Sequence, residues 1–164
     1  MIKSGIIPAI KNGVSLGEDA NWNIRVLKPG VDPIQNLCDS ISTFNFSVKV
    51  NQRDHKEISS EVKELILNSD LSISECIKKI DPDYQENTLL IIDQFEELFS
   101  FCDVNISNRE AQEEASLFVR LFIDCINNSD TSIFFILTMR SDFLGRCTEF
   151  PGLPETLNKA QYLI

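Results

Sequence analysis

"NTLLIIDQFEELFSF", residues 87–101, decides how the rest of the chain is read. Thr88 to Ile92 shows no polar alternation, which suits a strand buried on both faces, as in parallel sheets covered by helices. The strand runs directly into Asp93, and Glu96 and Glu97 follow. A carboxylate emerging from a dry sheet is the minimum description of a Walker B strand, where it holds water-bound Mg²⁺. The same residues also have a plainer reading. Asp93 would be the N-cap of the next helix, and Glu96 and Glu97 first-turn acids favoured by the helix dipole.

A second buried strand, "TSIFFILTMR" at 131–140, ends in Thr138 and Arg140. It would place a hydroxyl and a guanidinium at the same sheet edge as Asp93, where arginine is suited to contacting a terminal phosphate. The two strands together point to a triphosphate site.

Between and around them the pattern is helical. Asp32 before Pro33 resembles an N-cap with proline at the first helical position, and Ile34, Leu37, Cys38 and Ile41 complete an apolar stripe. A helix is expected in "EISSEVKELILNSD", and another in "SISECIKKI", where Ser72 and Glu75 stand in capping-box register. The longest helix is expected to start at a second such pair, Ser107 and Glu110, carry Ala111, Ala115, Phe118, Phe122 and Cys125 on one face, and run to about Asn127. "NWNIRVLKPG" alternates Trp22, Ile24 and Val26 with polar neighbours before Pro29 and Gly30, so it reads as a strand and a turn. "MIKSGIIPAIKNG" reads as the tail of a helix, with Pro8 near an end or kink, and "SDFLGRC" and "PGLPETLNKAQ" as short helical pieces. Buried strands alternating with helices imply an α/β fold with a parallel sheet, whose ligands gather at the carboxyl ends of the strands.

Composition bounds the rest. A chain of 164 residues with 43% hydrophobic and 24% charged residues is ordinary globular material, read as a single domain or a piece of one. No apolar run reaches the length of a membrane span, and nothing resembles a secretory signal, so a cytoplasmic location is expected. The net charge of −10 argues against a general nucleic-acid or anionic-membrane surface. Five widely spaced cysteines without CxxC spacing read as free, buried thiols in a reducing compartment, with no zinc site. His55, the single histidine, reads as a residue of a solvated loop.

"LLIIDQFEELF", "FFILTMRSDFLGRC" and "PGLPETLNKAQYLI" together resemble the novel STAND NTPase 1 family, P-loop NTPases of the STAND/AAA-like class often fused to WD40 repeats. "NIRVLKPGVDPIQNL" is similar to the family's second strand and Arg-Pro-Gly turn, with Lys28 where arginine is frequent. "SGIIPAI" is similar to the stretch just after its phosphate loop, and the region 43–86 is least diagnostic. The resemblance implies a nucleotide-driven switch in signal transduction, often in defence, with ATP and Mg²⁺ as cofactors of the complete domain. It makes Asp93 the Walker B magnesium carboxylate, makes Glu96 and Glu97 acids of which one orients the attacking water, and places Thr138 and Arg140 on the sensor strand. Gln94 stands where many related ATPases carry the catalytic glutamate, which implies slow turnover.

The phosphate-gripping pattern GxxxxGK[ST], whose backbone N–H groups, lysine and hydroxyl hold phosphates and Mg²⁺, does not occur in the sequence. Lys3-Ser4 lacks the upstream glycines and reads as helix surface. The expectation is therefore a partial P-loop domain lacking its first strand and phosphate loop. Its partners would be the missing P-loop segment, C-terminal sensor or effector domains and a possible second copy. Alone it is expected to bind ATP weakly or not at all and to be inactive. Two rivals stand beside this reading: a non-catalytic interaction module that pairs through an exposed sheet edge, and a phosphoacceptor-receiver domain with Asp93 as the acceptor.

Overall fold

The computed structural model describes residues 22–69, 71–127 and 132–158. The expected helix over residues 1–12, the Lys3-Ser4 pair and the end of "PGLPETLNKAQ" lie outside the described residues. Three parallel strands form one sheet in the order β1 (Trp22–Leu27), β2 (Asn87–Ile92), β3 (Ile133–Leu137). In register, Leu27 lies opposite Ile92, and Ile92 opposite Leu137, so all three strands end at one edge.

β2 is central because its sequence tolerates no water on either side. Leu89, Leu90, Ile91 and Ile92 are all buried, each such aliphatic side chain stabilising the fold by about 1.5–3 kcal/mol. Leu90 and Ile92 join the main core beneath helices α1 (Pro33–Ser42), α3 (His55–Ser69), α4 (Ile73–Ile80), α5 (Glu96–Val104) and α6 (Arg109–Asn127). A one-turn helix, α2 (Val48–Asn51), a 3₁₀ segment at Ser141–Glu149 and α7 (Leu153–Asn158) complete the order. The chain is an α/β protein with a parallel sheet flanked by helices.

The caps largely follow the local sequence. The Asp32 side chain accepts from Gln35 N at 3.0 Å with Pro33 opening α1, and Ser72 and Glu75 form both halves of their capping box, each worth about 1 kcal/mol. The third expectation is corrected. Helix α6 starts at Arg109, and Asn108 rather than Ser107 caps it, its Oδ1 accepting from Glu110 N and Ala111 N at 3.1 and 3.4 Å. Asn108 stands directly before the helix, and its longer side chain reaches the first-turn N–H groups itself. His55 is likewise the first residue of α3 and not part of a loop, with Nδ1 2.7 Å from Ser42 O.

β1 also differs from its pattern. Trp22, Ile24 and Val26 are only half-buried, whereas Asn23 is fully buried on the helix-covered face. Asn23 Nδ2 donates to the Tyr84 hydroxyl at 2.7 Å, and that hydroxyl meets Thr88 Oγ1 at 2.6 Å, so a buried network takes up the amide nitrogen, while Asn23 Oδ1 is buried without a partner among the described residues. The outer edge of β1 is blunted by Arg25, whose guanidinium donates to Ile24 O and to Thr43 O and Oγ1, each at 3.0 Å. β3 is less protected: no strand pairs with its outer edge among the described residues, and Phe134 is 50% exposed beside Trp22.

All five cysteines are buried, and none is in a disulfide. Burial pushes the Cys38 thiol up to about 12 and Cys76 to about 11, so both behave as small apolar core residues.

Candidate functional site at the carboxyl edge of the sheet

Asp93 follows β2 immediately and is held there from both sides. Its N–H donates to Leu27 O of β1 at 2.8 Å, while its Oδ1 accepts from the Thr138 hydroxyl, just beyond β3, at 2.8 Å. Thr138 Oγ1 in turn accepts from Gln94 N at 3.2 Å, and Thr138 O accepts from Phe95 N at 2.8 Å. One residue thus fastens the whole 93–95 loop to the neighbouring strand. Asp93 is not the N-cap of α5. That position is Phe95, without any side-chain cap, so the plainer reading of the aspartate does not describe this structure.

Glu96 and Glu97 are the first-turn acids of α5, and the fold treats them differently. Glu97 is engaged with the turn after β1: Oε2 accepts from Gly30 N at 3.2 Å and Oε1 lies 3.9 Å from Lys28 Nζ. Glu96 Oε2 is buried with no hydrogen-bond partner. A buried acceptor in that condition carries an uncompensated desolvation cost, which a cation, a water or a donor from a ligand would relieve.

Arg140 lies beyond the carboxyl end of β3, on the same sheet edge as Asp93, and β2 and β3 are adjacent and parallel. Its side chain, however, does not meet the aspartate. The guanidinium grips Asp142, with Nη2 to Oδ2 at 2.7 Å and Nε to Oδ1 at 3.2 Å, lies 5.4 Å from the Phe143 ring centroid, and remains 68% exposed.

Gln94 is the one described non-glycine residue with a positive φ, 55°. That left-handed backbone costs roughly 1–2 kcal/mol in a residue with a Cβ, and it persists only where neighbours impose it. Sequence reasoning singled out Asp93, Thr138, Arg140 and the two glutamates, but not the contacts that Lys28 and Gly30 make here. The position of Lys28 at the end of a strand was the available signal.

Among the described residues no group of three or more His, Cys, Asp or Glu side chains comes together to hold a metal ion. Mg²⁺, which keeps several waters and takes one or two carboxylates, suits a site with Asp93 as its protein anchor, and Glu96 is the nearby acid with a spare buried oxygen. No glycine-rich phosphate cradle occurs among the described residues.

A family model described as novel STAND NTPase 1 matches residues 1–164, the whole chain. The chain belongs to the novel STAND NTPase 1 family. No curated protein and no solved structure matches it. As a member of this family it is a STAND-type NTPase sequence, and its parallel sheet with helices around it is consistent with part of a P-loop NTPase fold. No helix among the described residues is long and apolar enough to cross a membrane.

Proposed function

We propose that this chain supplies the Walker B and sensor strands of a nucleotide-dependent switch in a signal-transduction protein acting in the cytoplasm, with defence signalling among the roles open to it. The observation that carries the reading is the Thr138–Asp93 hydrogen bond at the joint carboxyl edge of two adjacent parallel strands, in a chain of this family. Asp93 would anchor Mg²⁺ through water, and Thr138 holds its carboxylate in orientation. Glu96, the acid with an unpartnered oxygen, is the one free to orient a water, because Glu97 is spent on Gly30 and Lys28. Arg140, released from Asp142, would reach the terminal phosphate. The Mg²⁺ supplies charge neutralisation at the phosphates when bound. Residues 1–164 form one partial domain in this reading, with the phosphate-gripping loop and the sensor or effector domains supplied by segments outside it.

Calorimetry with a non-hydrolysable ATP analogue and Mg²⁺ tests this. The 164-residue chain alone is expected to give no saturable binding. A longer protein that includes a GK[ST] loop is expected to bind, and Asp93→Ala to weaken that binding about tenfold or more. Tight binding by the chain alone, or binding by the longer protein indifferent to Asp93→Ala, contradicts the proposal.

One observation favours a second reading, an interaction module with no catalysis. Among the described residues no strand pairs with the outer edge of β3, and Phe134 of that strand is half-exposed. An unguarded apolar edge is a template for a further strand from another chain.

A further inference from the structure

The turn after β1 and the loop after β2 are joined at three points. Lys28 Nζ donates to Gln94 Oε1 and lies 3.9 Å from Glu97 Oε1, and Gly30 N donates to Glu97 Oε2 at 3.2 Å. The turn that presents Gly30 is itself fixed, since Asn36 Nδ2 donates to Pro29 O at 2.8 Å. Gly30 has φ 61°, and a Cβ there would sit 2.9 Å from Asn36 Nδ2, so any other residue would add backbone strain and displace that side chain.

Gln94 is the pivot of this arrangement. Its N–H donates to Thr138 Oγ1 on the β3 side, its carbonyl accepts from Glu97 N at 2.9 Å, and its carboxamide oxygen takes the lysine on the β1 side. Contacts from three elements therefore impose its left-handed backbone. Asp93 is held from the β3 side by Thr138, so the lysine acts on the opposite flank of the same loop. The Gln94 carboxamide oxygen is engaged by Lys28 of the β1 turn, whereas Asp93 Oδ1 is engaged by Thr138 beyond β3.

We propose that Lys28, Gln94 and Glu97 form a positioning unit that fixes the Asp93 loop from the β1 side, and that Gln94 acts as its strut and not as a substitute for a catalytic acid. This rests on the proposed nucleotide site. The Lys28 ammonium sits between acceptors on the loop and on its helix, so its contacts act on the Asp93 loop, and through it on the orientation of the carboxylate that would hold Mg²⁺. Lys28 and Gln94 are positioning residues, since neither touches the reacting atoms.

The test uses a longer protein that joins this chain to a GK[ST] loop and reads two quantities by calorimetry: affinity for the ATP analogue in EDTA, and the Mg²⁺ concentration that gives half-maximal binding. In Lys28→Met the EDTA affinity is expected to stay within about twofold while the Mg²⁺ half-point rises about tenfold, as for other outer partners of metal ligands. Lys28→Arg is expected to restore the half-point, because arginine reaches both acceptors. Gln94→Glu is expected to leave it within about twofold, the new carboxylate being taken up by Lys28. An unchanged half-point in Lys28→Met, with a matching thermal midpoint, overturns the proposal. So does a several-fold lower half-point in Gln94→Glu, which would mean that the side chain faces the metal. Absence of nucleotide binding in the unsubstituted longer protein sinks the nucleotide site itself, and this inference with it.

Discussion

At the residue scale, Thr138 ties more of the site together than any acid does. Its hydroxyl both donates to Asp93 Oδ1 and accepts from Gln94 N, so Thr138→Val leaves a donor and an acceptor without partners. The expected loss is about 1–3 kcal/mol in chemical denaturation, with Thr138→Ser recovering most of it. Arg140 is the opposite case. It stands free of the core and grips only Asp142 and the Phe143 face, so Arg140→Ala should scarcely change stability. In the longer protein the substitution is expected to weaken ATP binding about tenfold relative to ADP, the loss of one charge-assisted contact to the terminal phosphate. Equal losses for ADP and ATP, measured by competition binding, would show that Arg140 does not read that phosphate. The carboxylates and the arginine were visible as chemical types at strand ends. That Arg140 pairs with Asp142, and that Glu97 belongs to the β1 turn, was not legible, because partner choice depends on where distant backbone segments lie.

At the element scale, α1 and α6 meet through a pair of acids. Glu114 Oε1 accepts from Ile34 N at 3.2 Å, and its carboxyl is held above the ordinary value by burial, with the Asp32 carboxylate beside it adding to the effect. The folded form therefore holds that proton more tightly than the unfolded chain does. Its stabilising contribution is complete below the ordinary value of 4.5 and is lost as pH rises through the raised folded value. Glu114→Gln keeps the acceptor for Ile34 N and removes the titration. The stability of the variant relative to the unsubstituted protein is expected to rise as pH climbs above 4.5, read from denaturation midpoints; a difference that does not change with pH would refute the assignment. Among the elements themselves, β2 was legible from five consecutive residues without alternation, and α1 and α4 from Asp32-Pro33 and the Ser72–Glu75 pair. The cap of α6 and the buried face of β1 were missed. Asn108 and Ser107 are both competent caps, and the periodicity of β1 cannot say which of its faces the helices cover.

At the scale of the whole molecule, the described helices flank a three-stranded parallel sheet, and its two outer strands are finished differently. Arg25 closes the edge of β1, whereas β3 offers Phe134 and an apolar run. If that edge recruits another chain, the isolated chain is expected to self-associate with rising concentration. Phe134→Lys should then weaken association about tenfold in sedimentation velocity. A chain that stays monomeric throughout would remove the support for the interaction-module reading.

The sequence by itself determined the α/β class, the buried central strand, the acid that follows it and the hydroxyl and guanidinium at the end of the third strand. These rest on short-range pattern: solvent exclusion on both faces of β2 removes alternation, and caps are set by neighbours in the chain. Only the tertiary structure decided which groups share hydrogen bonds at the sheet edge. Thr138 meets Asp93, and Lys28 reaches Gln94, because parallel pairing in register ends three strands together. That alignment is a property of the assembled sheet, in which residues as far apart as Lys28 and Thr138 act on one loop.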